Sequence, residues 1–399
     1  MEEFKKLGIK REILEALKEL GFEHPTEVQE KAIPEAFKGK DIIAGSATGS
    51  GKTLAFGASI IQNTEKRKGI QALILTPTRE LANQIKKAMI SFAKVRPVKI
   101  IEVYGGVQIE PQIRRLKTAE IVIGTPGRVL DHMRRRTIDL TNVKTLVLDE
   151  ADRMLDMGFI DDVEKIMSNC PKNKQTMLFS ATISGLLGHV IKKHMKDPVK
   201  ISAESMVDPK KLKQIYYDVP DGLKFSLLVH LLEREKSDLV MVFCNTQRNT
   251  DFIEKNLKLQ GIQALALHGG YSQGKRNKTM EKFHAQNFHV LVCTDVAARG
   301  LDIPAVSHVY NYDIPNDSKD YVHRIGRTAR AGKEGVAVNI LGARDHDNFG
   351  RVLRDNDVEV PREKAPFIKK VEVKREESYN RSHKSKFSKR PRKNYSRRR

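Results

Sequence analysis

Short, nearly continuous apolar runs recur along the chain, each closing on small or polar residues. Residues 41–46 (DIIAGS), 72–77 (ALILTP), 99–104 (KIIEVY), 120–125 (EIVIGT), 145–149 (TLVLD) and 175–180 (QTMLFS) read as strands. Runs this short that do not alternate apolar with polar suit strands covered on both faces, as in a parallel sheet. Amphipathic stretches between them, such as 79–94 and 163–169, predict helices. The pattern then restarts. Residues 214–219, 239–244, 264–268, 290–294, 309–312 and 336–341 form a second strand series, with a helix predicted at 250–260. The fold class is therefore α/β, with two parallel-sheet domains in tandem. The polar stretch 202–213, which contains Pro209 and lacks a strand pattern, predicts the joint. The expected division is a leading segment 1–30, a first domain 31–203, a linker 204–213, a second domain 214–365 and a tail 366–399.

Composition narrows the picture. At 399 residues, 39% hydrophobic and 31% charged, the chain is globular with a polar lean, which excludes a wholly disordered protein. No run of about 18 apolar residues exists, so no membrane span is expected. The first twenty residues mix charge with apolar residues, so no secretory signal is expected. Cys170, Cys244 and Cys293 lie far apart. An odd, scattered set argues against disulfides and Cys-based zinc, and for buried thiols in a reducing compartment.

Charge points to a partner. The net charge is +22, which implies a polyanion, nucleic acid before membrane. Residues 366–399 carry fourteen Lys/Arg against three Asp/Glu, +11 in 34 residues. That tail has too little apolar content for a core and is expected to be disordered. Its charge favours a nucleic-acid tether over a merely solubilising extension, and KRPRK is a third option as a nuclear localisation signal if the source is eukaryotic.

Chemistry enters at residues 46–53. Ser46-Ala47-Thr48-Gly49-Ser50-Gly51-Lys52-Thr53 follows a predicted strand and precedes a helical stretch. Glycines let backbone N–H groups wrap phosphates, Lys52 can reach the β/γ-phosphates, and the Thr53 hydroxyl can ligate Mg²⁺. The strict phosphate-loop pattern wants Gly at Ser46, and the strand–loop–helix context compensates. The strand 145–149 ends on Asp149 and is followed by Glu150. Alone this pair reads equally as a solvated turn or helix cap. Behind a phosphate loop it reads as Asp149 holding Mg²⁺ and Glu150 polarising the attacking water. The basic cluster His323-Arg324-Ile325-Gly326-Arg327-Thr328-Ala329-Arg330 could stabilise charge on a transferred phosphate. Gly326 and Gly332 weaken the alternative of a solvated basic helix face.

Asp149-Glu150-Ala151-Asp152 resembles the signature of the DEAD-box ATP-dependent RNA helicases, and the similarity runs over residues 4–345 with motifs in family order. The resemblance implies two RecA-like domains, ATP and Mg²⁺ as cofactors, and single-stranded and short duplex RNA as partner, gripped mainly through its backbone. Phe4, Phe22 and Gln29 resemble the adenine-reading motif, with Gln29 on the base edge and an aromatic packed on the ring. Arg79, Gly106, Thr125 and Arg128 resemble RNA contacts of the first domain, and Gln273, Arg276 and Thr294 those of the second. Ser180, Thr182 and His323 resemble coupling residues. Gly300 and Asp302 resemble ATP contacts, with Asp302 near the ribose. Arg327 and Arg330 resemble the arginine fingers. Ser46 and Ala329 replace the usual Ala and Gly, with little effect expected. Gly270 replaces a usual Asp and is expected to loosen a helix N-cap before Gln273.

The function expected from this resemblance is an RNA-dependent ATPase that remodels short duplexes. The alternative is an ATP-gated RNA clamp or annealing chaperone that unwinds little. Possible protein cofactors, a monomeric state and a cytoplasmic location (nuclear or nucleolar in a eukaryote) complete the expectation.

Overall fold

The computed structural model describes residues 1–45, 50–180, 185–202, 212–234, 238–285, 288–298, 306–328 and 335–374. Among them are thirteen strands in two wholly parallel sheets. The first sheet holds β1 (Ile42–Gly45), β2 (Ala72–Leu75), β3 (Ile100–Val103), β4 (Ile121–Gly124), β5 (Thr145–Asp149), β6 (Gln175–Ser180) and β7 (Val199–Ser202), in the order β3-β4-β2-β5-β6-β1-β7. The second holds β8 (Leu212–Asp218), β9 (Val240–Phe243), β10 (Ala264–Leu267), β11 (Val290–Cys293), β12 (His308–Asn311) and β13 (Gly335–Leu341), in the order β10-β11-β9-β12-β13-β8. Helices follow most strands and cover both faces. This is why β2, β4, β9, β10 and β11 are buried at every position and read as unbroken apolar runs.

Register positions the chemistry. β6 lies between β5 and β1, with Asp149 opposite Phe179 and Gly45 opposite Ser180. The loop after β1, the carboxylates after β5 and the end of β6 thus open at one level, at the carboxyl edge where parallel sheets bind ligands.

Three boundaries and one strand differ from expectation. The leading segment is no separate unit: Phe4, Ile9, Ile13 and Leu17 belong to the first domain's core. β7 escapes the sequence pattern because a four-residue edge strand with Lys200 inside it carries too short an apolar run. Most of the expected linker lies outside the described residues, and Leu212 and Lys213 already belong to β8. The tail boundary at 366 also moves. Ile368, Val371 and Val373 pack on the second domain's core. The Val371 N–H donates to Ser226 Oγ (3.0 Å), and the fully buried Asn256 amide bonds both backbone groups of Lys374 (2.8 and 3.2 Å). Spaced apolar residues among lysines were enough to hold this strap. Residues 375–399 lie outside the described residues.

Cys170, Cys244 and Cys293 are buried free thiols, and burial pushes each above the ordinary thiol value. No helix among the described residues is long and apolar enough to cross a membrane.

Candidate nucleotide and nucleic-acid site

The phosphate-loop helix Lys52–Asn63 starts from Gly51, whose φ of 81° lies in the left-handed region. A side chain there would also strike Gln29, since a Cβ would come within 2.2 Å of its Nε2. Glycine is therefore required twice over. Gln29 sits in the first turn of the helix Glu27–Phe37, in a capping box with Thr26. Its Oε1 accepts from Thr26 N (3.0 Å), and its Nε2 donates to the Gly51 carbonyl (2.9 Å). Thr26 Oγ1 donates to the Ser50 carbonyl (2.7 Å). The amide that resembles a base reader is thus welded to the phosphate loop, and it keeps one N–H and one lone pair to spare.

Lys52 and Asp149 form a buried ion pair at 3.1 Å, 7% and 0% exposed. Burial works against the Lys52 charge, but Asp149, Glu150 and Asp152 outweigh it and hold the ammonium above the ordinary lysine value. Burial pushes the Asp149 carboxyl up, against the pull of Lys52. Glu150 is the N-cap of the helix Ala151–Asp156 and adopts the left-handed region at φ 53°. A non-glycine residue held there stores strain, a feature that clusters at functional sites. Its Oε2 lies 3.4 Å from Arg153 Nε without hydrogen-bond geometry. The Ser180 Oγ accepts from Asp152 N (3.2 Å), joining the end of β6 to this carboxylate segment.

Asp149 Oδ2 and Glu150 Oε2 are buried and lack hydrogen-bond partners. Unsatisfied carboxylate oxygens beside a helix-borne Thr53 are the hard donors that Mg²⁺ takes. Among the described residues no cluster of three or more His, Cys, Asp or Glu forms a metal cage. Mg²⁺ commonly uses one or two carboxylates together with substrate phosphates, so this donor set fits it.

Phe4 is corrected by the structure. It is fully buried, edge-on to Phe22 with ring centroids 6.3 Å apart, and has no surface to offer a base. Phe22 is half-buried between Phe4 and Phe92. Ser46, Ala47, Thr48, Gly49, Thr182, Gly300, Asp302 and Arg330 lie outside the described residues.

A cleft of about 800 Å³ runs between the domains. The first domain lines it with Arg79, Gly106, Thr125 and Arg128, and the second with Tyr271, Gln273, Arg276 and Val296. Of the expected RNA contacts, only Thr294 is not on this wall; it lies at the end of β11, 7% exposed, and accepts from Ala297 N. Arg79 lies across Gly106, where a Cβ would come within 2.2 Å of its guanidinium, and Gly106 has φ 71°. Arg128 Nη2 donates to the Val107 carbonyl (3.1 Å), leaving its buried Nη1 without a partner. Glu80, beside Arg79, accepts from Gln273 Nε2 at 3.0 Å and pairs with Arg276 Nη1 at 3.0 Å. It is 9% exposed and latches the first domain to the second. The sequence reading gave Glu80 no role of its own, because nothing in the chain marks which residue faces across an interface.

The helix Gln273–His284 is capped by Ser272, whose side chain accepts from Lys275 N. Gly270 stands two residues before the cap, so the expected loosening does not arise. Arg324, left without a role in the sequence reading, is the most enclosed charge of the second domain among the described residues, 1% exposed. Its guanidinium bonds both Asp295 oxygens (2.6 Å each), Asn245 Oδ1 (2.8 Å) and the Asp313 carbonyl (2.5 Å). Three loops are tied by this one side chain. Arg327 is buried just beyond, past the end of the helix Ser318–Ile325, and His323 is half-buried on that helix. A solvated basic face is excluded.

A phosphate loop with paired carboxylates on one parallel-sheet domain, a second such domain, and a basic cleft between them define a two-domain helicase core. The DEAD/DEAH box helicase family matches residues 26–187, and the helicase conserved C-terminal domain matches residues 223–332. The DEAD-box ATP-dependent RNA helicase CshA of Geobacillus kaustophilus is 43% identical over 372 residues, 92% of this chain and 79% of the relative. The structure of S. cerevisiae Dbp5 bound to RNA and ADP BeF3 matches with a TM-score of 0.81 at 31% identity, over 91% of this chain and 95% of that one. A DEAD box protein from the hyperthermophile Methanococcus jannaschii is nearer in sequence, 41% identical, yet its TM-score is 0.58, over 89% of this chain and 97% of that one. This chain belongs to the DEAD-box helicase family.

Proposed function

We propose that this protein is an RNA-dependent ATPase that binds single-stranded RNA across both domains and separates short duplexes as the domains close. The observation that carries the reading is the cleft, where Glu80 of one domain is held by Gln273 and Arg276 of the other beside Arg79 and Arg128. Dbp5 with RNA and ADP BeF3 is the better match in overall arrangement despite lower identity, which supports a closed arrangement of the domains here. The clamp without unwinding is not favoured, since the matching relatives are named helicases.

On this reading the spare N–H and lone pair of Gln29 meet the adenine edge. The phosphates lie at the start of the helix Lys52–Asn63, where backbone N–H groups and the Lys52 ammonium face them. Asp149 and Thr53 would hold Mg²⁺, which when bound neutralises phosphate charge. Glu150 takes a proton from the attacking water, and Arg327 and Arg330 steady the charge that develops. Arg79, Arg128 and Arg276 grip phosphates rather than bases, so binding is sequence-independent and salt-sensitive. ATP and RNA each favour closure, so each strengthens the other's binding. A strand held bent across both domains leaves its complement, and turnover reopens the cleft.

Steady-state ATP hydrolysis without nucleic acid, with single-stranded RNA, and with DNA of the same sequence tests the reading. Strong stimulation by RNA alone is expected. Equal stimulation by DNA would replace it with a general nucleic-acid remodeller, and absence of hydrolysis throughout would revive the clamp.

The latch gives a second expected result. Glu80→Ala leaves the partly buried Arg276 without its carboxylate and removes two bonds across the interface. Coupling energies between linked sites run to about 1–3 kcal/mol. RNA stimulation of hydrolysis should therefore fall roughly tenfold, with ATP affinity in the absence of RNA unchanged. Equal cooperativity between ATP and RNA in variant and wild type would show that the latch does not couple them.

A further inference from the structure

Beyond Tyr271 the cleft continues into a second groove of about 660 Å³, and the two share Tyr271 and Ser272 as lining. Its walls are the helices Gln247–Leu259 and Gln273–His284. On the latter, Lys275, Lys278 and Lys282 recur at spacings of three and four and form one stripe. The same helix buries Met280 and Phe283 on another face and turns Gln273 and Arg276 into the cleft. With Lys258, the groove carries four lysines against one carboxylate, Glu254, a balance of +3.

The stripe differs from those surface lysines that sit on a carboxylate: Lys31, Lys38, Lys94, Lys144, Lys193 and Lys258 each pair with a glutamate. Among the described residues none of the three stripe lysines pairs with a carboxylate. Lys275 instead stands 3.2 Å above the Tyr271 ring centroid, and Lys282 lies 5.9 Å from that of Phe288. Like charges three and four residues apart on a helix repel each other and destabilise it. A polyanion laid along them reverses that repulsion. The Tyr271 ring is fixed at the junction by its hydroxyl on Asp251 (3.0 Å) and by His268, 4.0 Å away between centroids.

We propose that the RNA strand leaving the cleft continues past Tyr271 along Lys275, Lys278 and Lys282, so that the second domain holds a flanking segment by itself. The stripe covers seven helical steps, roughly 10 Å at about 1.5 Å per residue, a length that reaches neighbouring phosphates of one strand. Because this contact involves one domain only, it persists when the cleft opens. RNA is then retained between rounds of hydrolysis. The inference rests on the cleft's being the RNA site.

The test uses the full chain and two oligouridines: the shortest that stimulates hydrolysis fully, and one about ten nucleotides longer at each end. Affinity is read by fluorescence anisotropy across a salt series. In Lys278→Ala/Lys282→Ala, both positions exposed, the short RNA should bind and stimulate as in wild type. The long RNA should bind about fivefold more weakly, and its salt slope should shrink by about 1.4, from about 0.7 per single-strand phosphate contact. Lys278→Arg/Lys282→Arg should restore both. An unchanged affinity and slope for the long RNA would overturn the inference. Failure of wild type to bind either RNA would sink the cleft reading and this inference with it, and would be evident before any variant is made.

Discussion

Glu150→Gln should lower ATP turnover by roughly 10²–10⁴-fold, the range that a positioned general base contributes, while ATP and RNA affinities stay within about twofold of wild type. The geometry makes this substitution clean. Glu150 is 5% exposed, and its backbone is fixed in the left-handed region at the N-cap of a helix. Glutamine has the same length and volume, so packing is retained. Its amide oxygen still faces Arg153, but no carboxylate remains to accept a proton from water. Single-turnover hydrolysis beside equilibrium binding separates the two effects. RNA bound with ATP should be released slowly, because the step that reopens the cleft is the one removed. Wild-type turnover by this variant would take the base role from Glu150.

Lys52→Ala should abolish ATP binding and also destabilise the first domain. Asp149 is fully buried and Lys52 is its ion-pair partner at 3.1 Å. Removing one member of such a pair costs about 3–5 kcal/mol, reduced by whatever Asp149 recovers on taking up a proton. Burial already pushes its carboxyl toward the neutral form. Lys52→Ala/Asp149→Asn separates stability from function. The double variant leaves no charge uncompensated and should regain most of the lost thermal stability without regaining ATP binding. Thermal unfolding with and without ATP reads both quantities. ATP-dependent stabilisation of Lys52→Ala would show that the ammonium is dispensable for binding. Unchanged stability would show that the pair is already neutral in the native protein.

Two parts of this protein were legible along the chain. One was the sheets. Strands buried on both faces must be apolar throughout, so the twelve runs of the two series mark twelve of the thirteen strands among the described residues. The other was the phosphate chemistry. Its loop and carboxylates follow directly on strands, and a local segment carries its own backbone geometry, as the left-handed Gly51 and Glu150 show.

What stayed hidden depends on residues far apart in the chain. Glu80 meets Gln273 across 193 positions, and Asn256 meets Lys374 across 118. Phe4 carries an aromatic ring in a motif-like place, and only packing decides that the ring is core rather than base contact. Arg324 looks like its neighbours Arg327 and Arg330 until three loops converge on it. The stripe of Lys275, Lys278 and Lys282 is an ordinary helix face by sequence. That its lysines pair with no carboxylate among the described residues, and that it lies at the end of the cleft, follows from how two helices and a tyrosine pack. Apolar pattern determines which segments become strands, because burial acts on each residue separately. Which polar groups meet is decided by the tertiary structure, because a hydrogen bond or ion pair needs two partners within about 3 Å, and the chain alone does not specify that distance.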